Sequence, residues 1–190
     1  MSVLGELQPN KVFKYFEEIC SIPHGSRNLQ QISDYLVDFA KAHELKYRQD
    51  EDLNVIIWKD GSKGYEASEP VILQGHMDMV AVKEADCDKD MEKEGLDLEI
   101  NGDYISAKGT SLGGDDGIAV AYTLAVLDDE EMAHPPIEAI FTVNEEIGML
   151  GAATIDVSDL KGRLFMNMDS EDEGVFTVSC AGGALSLIHI

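Results

Sequence analysis

Three short, mostly apolar runs each break off into residues that bind cations. Residues 71–73 (Val-Ile-Leu) lead through Gly75 into His76-Met77-Asp78. Residues 137–143 lead into Asn144-Glu145-Glu146, and residues 163–168 into Asp169. Runs of this length bounded by polar segments read as buried strands. Helical periodicity precedes and separates them, and strands alternating with helices specify an α/β fold. In open α/β sheets, ligands gather at the carboxyl ends of the strands. A fourth acidic pair, Asp115-Asp116, sits in the glycine-rich turn Leu112-Gly-Gly-Asp-Asp-Gly117, ahead of a small-residue helix over 118–127. Four separate elements therefore carry imidazole or carboxylate groups to the places where a sheet of this kind holds its ligand.

The remaining elements frame that sheet. Residues 11–20 put Val12, Phe13, Phe16 and Ile19 on one side of a helix that Ser21-Ile22-Pro23 ends. A second helix over 29–43 buries Ile32, Leu36, Val37, Phe39 and Ala40. Residues 54–58 read as a short strand, and residues 98–105 as a hairpin around Asn101-Gly102. The acidic stretch 82–95 reads as an exposed loop. Within it Asp86-x-Asp88-x-Asp90 imitates the opening of a calcium loop. Met91 stands where such a loop needs glycine and Asp97 where it needs glutamate, so this is a solvated segment.

A length of 190 residues suits one domain with a sizeable core. The balance of 37 acidic against 14 basic residues, a net charge of −23, excludes nucleic acid as a partner, because phosphate binding needs a basic face. No apolar run approaches the roughly 18–20 residues of a membrane span, and the first residues lack a secretory pattern. Cys20, Cys87 and Cys180 are odd in number and widely spaced. That argues against a disulfide framework or thiolate zinc site and for a reducing cytoplasm.

The ligand-type residues carry their own chemical logic. His76 and Asp78, two apart on an extended chain, share a side, and a carboxylate beside a metal-bound imidazole fixes its tautomer. Glu145 and Glu146, as extended neighbours, point to opposite sides, one for a cation and one toward a substrate as general base. Asp115, flanked by glycines that let backbone approach an ion closely, reads equally as a bridging ligand or as a helix N-cap. Asp169 reads as a ligand or as the start of an acidic turn with Glu171, Asp172 and Glu173.

Together the segments Gly75-His-Met-Asp-Met-Val80, Lys108-Gly-Thr-Ser-Leu-Gly-Gly-Asp-Asp-Gly117, Asn144-Glu-Glu-Ile-Gly148 and Asn167-Met-Asp-Ser-Glu171 resemble the M20 metallopeptidases in order and spacing. The bacterial aminoacyl-histidine (Xaa-His) dipeptidases are the most similar group. Residues 9–16, Ile22-Pro-His-Gly-Ser26 and Ser179-Cys-Ala-Gly-Gly183 resemble that group too. The resemblance implies the N-terminal portion of a two-metal aminopeptidase-like (phosphorylase/hydrolase-like) catalytic domain over residues 1–183. That domain is a mixed sheet flanked by helices, with the lid domain absent and residues 184–190 an atypical tail.

It further implies two divalent ions, zinc first, with cobalt or manganese able to substitute. His76 and Asp169 would hold one ion and Glu146 the other. Asp115 would bridge them through a cis peptide to Asp116, where the group commonly has Asn. Asp78 would orient His76, and Glu145 would be the general base. The reaction implied is hydrolysis of small peptides, Xaa-His dipeptides above all, in the cytoplasm. The group's last ligand is a histidine near the end of a chain more than twice as long, and His189 is not expected to replace it. The 190-residue chain alone is therefore expected to be inactive, and the longer parent to dimerise through its lid. Two alternatives stand beside this: another M20-type hydrolase (tripeptidase, carboxypeptidase or N-acyl amino acid deacylase), or a non-catalytic acidic metal-binding module. The absence of lysine after the acidic pair favours the Xaa-His group, and the presence of both Glu145 and Asp78 favours catalysis.

Overall fold

The computed structural model describes residues 2–170, 174–179 and 182. The tail 184–190 with His189, and also Cys180, lie outside the described residues. Two amphipathic helices come first. α1 (Asn10–Cys20) buries Val12, Tyr15, Phe16, Ile19 and Cys20, the three- and four-residue spacing that turns one helix face to a core. α2 (Gln30–Ala42) buries Ile32, Leu36, Val37, Phe39 and Ala40 in the same way. Strands β1 (Lys46–Gln49), β2 (Val55–Lys59) and β3 (Val71–His76) follow, then a separate hairpin of β4 (Leu98–Asn101) and β5 (Tyr104–Ala107). Helix α3 (Gly114–Leu127), strand β6 (Ile137–Thr142), the short helix α4 (Leu150–Thr154) and strand β7 (Leu164–Asn167) complete the order.

Five strands form one mixed sheet in the order β1-β2-β6-β3-β7. β3 runs parallel to both β6 and β7, while β2 is antiparallel to β6 and to β1. The register sets His76 opposite Thr142 and Gln74 opposite Asn167. The segments that follow β3, β6 and β7 therefore leave the sheet at one edge and at nearly one level.

One face of the sheet meets the helices. Val55, Ile57, Ala139 and Phe141 pack there with Val120, Leu124, Leu36 and Phe16. A smaller cluster, Ile56, Ile72 and Ile140, lies on the other face under Ile155 and Leu160. α3 is apolar around most of its circumference because it is wedged between α1 and β3. Its small residues make the wedge possible. A Cβ at Gly117 would stand 3.3 Å from the Phe16 ring, and one at Gly75 would stand 3.0 Å from the Ala119 Cβ and 2.8 Å from an Asp116 oxygen. This close seating brings the start of α3 to the carboxyl end of β3.

Candidate metal centre and active site

His76 is the last residue of β3 and is 1% exposed. Its Nδ1 lies 2.9 Å from the Asp78 backbone carbonyl and 3.5 Å from the Asp78 carboxylate. With a proton on Nδ1 the ring donates to that carbonyl, which leaves Nε2 as the nitrogen facing outward. Nε2 stands 3.1 Å from Asp115 Oδ1, 3.9 Å from Glu145 Oε2 and 3.9 Å from Asp169 Oδ2. Burial alone would lower the His76 pKa. Asp78, Asp116 and Asp169 outweigh it and raise the value to about 9.

Asp78 is the hub beneath the ring, itself 1% exposed. Its carboxylate accepts from Ser26 Oγ at 2.8 Å, from the Glu145 N–H at 2.9 Å and from the Glu146 N–H at 3.4 Å. Burial disfavours the charge, but His76 and these donors together hold the carboxyl below its ordinary value. Asp78 thus does two things: it supports the imidazole and it fixes the backbone of both glutamates.

The loop after β6 is shaped by backbone as much as by side chains. Asn144 and Met149 both adopt left-handed φ of 54° and Gly148 a φ of 117°. Buried Asn54 anchors the two ends: its Oδ1 accepts from the Val143 N–H at 3.1 Å and its Nδ2 donates to the Gly151 carbonyl at 3.3 Å. The expected opposition of Glu145 and Glu146 is not what results. The loop has left the extended conformation, and both carboxylates turn toward His76.

Asp115 is not the helix cap. Gly113 occupies that position, and Asp115 and Asp116 break the helical dihedrals with a cis peptide between them. The Asp115 carboxylate projects toward His76 with its side chain 72% exposed. Asp116 turns inward, 2% exposed, and its Oδ2 accepts the His76 backbone N–H at 3.1 Å. Burial, opposed by His76 and reinforced by Asp169 and Asp115, raises its pKa to about 7. Glu145 and Glu146 are raised as well, first by burial and then by neighbouring carboxylates.

Two groups of ligand atoms lie within 4.8 Å of one another: His76 with Asp115 and Glu146, and His76 with Glu145 and Asp169. The structure thus brings together His76, Asp115, Glu146 and Asp169, with Asp78 and Glu145 among them. Sequence reading missed the supports, Ser26, Asn54 and Asn144. Ser26 and Asn144 lay in segments already noticed, Ile22-Pro-His-Gly-Ser26 and Asn144-Glu-Glu-Ile-Gly148, and Asn54 opened the strand expected over 54–58, but no role was read for any of them.

No protein-family model matches the chain. Its sequence is 40% identical over 183 residues to the cytosol non-specific dipeptidase of Escherichia coli K12, covering 96% of this chain. Its fold overlays the crystal structure of the aminoacylhistidine dipeptidase from Vibrio alginolyticus with a TM-score of 0.87 and 40% identity over 90% of this chain. The chain belongs to the aminoacylhistidine dipeptidase family. It spans 38% of the Escherichia coli protein and 35% of the Vibrio chain, and matches the N-terminal part of the peptidase fold. A tripeptidase from Staphylococcus aureus shares the fold at 23% identity, with a TM-score of 0.71 over 88% of this chain and 45% of its own. Among the described residues no helix is long and apolar enough to cross a membrane.

Proposed function

We propose that this family member is a two-metal dipeptidase, and that residues 1–183 form the N-terminal part of its catalytic domain. The observation that carries the reading is the convergence of one imidazole and four carboxylates on a few ångströms of space, with no lysine or arginine of the described residues paired to them. Carboxylates so placed repel one another, and divalent cations are the groups that relieve them. His76 and Asp169 would hold one ion and Glu146 the other, with Asp115 between them. An imidazole with carboxylates suits zinc, and the oxygen-rich set also admits cobalt or manganese. Ions in this place supply a polarised peptide carbonyl and a water acidic enough to attack at neutral pH.

The chain's own residues do the rest. Asp78 holds His76 in the tautomer that points Nε2 outward. Glu145 takes a proton from the attacking water and returns it to the leaving amine. Its raised pKa suits a group that must both accept and release that proton. The Glu145 backbone N–H on Asp78 keeps base and imidazole in fixed relation. The substrate is a small peptide, with Xaa-His dipeptides drawn from the family resemblance and from the Vibrio protein's name. A cytoplasmic setting agrees with the name of the Escherichia coli relative.

Four ligands do not close two zinc shells of about four each. The family resemblance places a further histidine, and a lid with its dimer contact, in the longer protein, and with the shells left open the 190 residues alone should lack turnover. Substitution of the two glutamates in the full-length protein tests the assignment. Glu145→Gln should lower kcat by roughly 100- to 10,000-fold with metal content near wild type. Glu146→Gln should instead lose metal. Undiminished turnover in Glu145→Gln would remove the base, and undiminished metal in Glu146→Gln would remove the ligand.

A further inference from the structure

Beside the metal centre lies a cleft of about 1110 Å³, lined by Glu146 and Ile147 on one wall and by the loop 25–28 and residues 79–83 on others. That volume is more than a dipeptide needs. Four cations border it: Arg27, Lys83, Lys89 and Lys93. Three of them are engaged. The Lys83 ammonium donates to the Lys89 carbonyl at 2.7 Å, Lys89 bonds the Gly95 carbonyl at 2.6 Å and Asp97 at 3.1 Å, and Lys93 pairs with Asp90 at 2.8 Å. Among the described residues Arg27 makes no side-chain ion pair or hydrogen bond, although Asp88 and Glu92 border the same cleft.

The backbone of Arg27 is held with unusual care for an exposed residue. Its φ is 72°, a left-handed conformation that a long side chain rarely takes. Its N–H donates to Asn144 Oδ1 at 2.8 Å, the residue directly before Glu145. On one side Ser26 is bonded to Asp78, and on the other the Asn28 amide donates to the Glu92 carbonyl at 2.9 Å. The loop is thus tied to both the metal-site hub and the far wall of the cleft. Strain of this kind persists only where surrounding contacts impose it, and it concentrates at ligand clamps.

We propose that Arg27 is a specificity-determining residue that binds a carboxylate of the substrate in this cleft. The proposal rests on the peptidase reading for the word substrate, but its chemistry is independent. A protein of net charge −23 repels anions, and the carboxylates around His76 repel them further. A guanidinium at the cleft gives an anionic end or side chain one place to dock, and its planar fork matches a carboxylate with two parallel hydrogen bonds. That carboxylate is either the peptide's C-terminus or an acidic side chain.

Calorimetric binding to the zinc-loaded, full-length protein tests this, with Glu145→Gln included throughout so that probes are not consumed. The probes are Gly-His, its C-terminal amide, and the C-terminal amide of Glu-His. Arg27→Gly is the chosen variant because glycine favours the left-handed conformation, so the fold should be kept or slightly stabilised. With Arg27 present, one carboxylate-bearing probe should bind about 10- to 100-fold more tightly than the Gly-His amide. If that probe is Gly-His, Arg27 reads the chain end; if it is the Glu-His amide, Arg27 reads a side chain. Arg27→Gly should erase the preference without lowering the melting temperature, and Arg27→Lys should keep only part of it. A preference that survives in Arg27→Gly, or no preference with Arg27 present, overturns the proposal. Turnover of Gly-His by the protein with Glu145 intact is scored separately, and its absence sinks the peptidase reading while leaving the binding comparison to judge Arg27.

Discussion

Carboxylates sit near both ends of the same pair of parallel strands, and they are treated in opposite ways. Near the start of β6, Glu138 is 3% exposed and accepts from the Lys161 N–H at 2.9 and 3.0 Å and from the Gly162 N–H at 2.9 Å. Its charge is met by backbone donors, and in return it fixes the turn that leads into β7. At the other end, the carboxylates of Asp115, Glu145 and Asp169 point at a single imidazole nitrogen and at one another. A carboxylate whose lone pairs are filled by the chain is part of the structure, whereas carboxylates crowded against one another around one imidazole have the perturbed electrostatics that mark candidate functional sites.

The comparison can be broken most sharply at Asp115. Asp115→Asn keeps the shape and removes one charge. It should weaken zinc binding by more than about 100-fold, since even losing a supporting partner costs 10- to 100-fold. Its metal-free form should melt close to the parent, because losing the 3.1 Å contact of this exposed carboxylate with the His76 ring is offset by relief of its repulsion with the neighbouring carboxylates. A metal-free melting temperature several degrees lower would show that the acidic end is structural after all. In the same experiment the parent should gain about 2.7 kcal/mol of stability at zinc 100 times its dissociation constant, and lose it to chelator.

Glu138→Ala should give the mirror result. Removing the acceptor strands two backbone N–H groups and should cost about 2 kcal/mol of stability, measured by denaturant melts, with zinc affinity unchanged. A variant that lost metal as readily as Asp115→Asn would erase the distinction between the two ends. The smallest effect belongs to Ser26→Ala, which removes one donor from Asp78 and should cost about 1 kcal/mol. It touches both classes, so its effect should appear in stability first and only weakly in zinc titration.

Much of this was legible in the residues. Each ligand segment follows a run whose apolar character marks it as a strand, and the parallel register then carries His76, Glu145–Glu146 and Asp169 to one edge without further information. Asp115 was legible through its glycines, although whether it capped a helix was settled only by the turn of the chain at Gly113. The supports were hidden for a physical reason. Ser26 meets Asp78 across 52 positions, and the Arg27 N–H meets Asn144 across 117, and no local pattern encodes a contact of that range. β1 was also hidden, because Lys-Tyr-Arg-Gln at a sheet edge has too few apolar residues to alternate. The two glutamates misled because strand alternation was extended past Thr142 into a loop with left-handed residues.

The edge strand β7 differs from its neighbours in that all four of its residues are exposed, Leu164 at 58% and Phe165 at 55%. Among the described residues it is held by four residue pairs with β3 alone. Segments with few buried contacts open at a lower free energy than the core and exchange their amide hydrogens sooner. Asp169 rides two residues beyond this strand, while His76 rides on the buried one beside it. Under the two-metal proposal, each transient opening of β7 would withdraw Asp169 and leave the imidazole in place, so the residence time of an ion bound there would act as a clock for the fraying of a single strand.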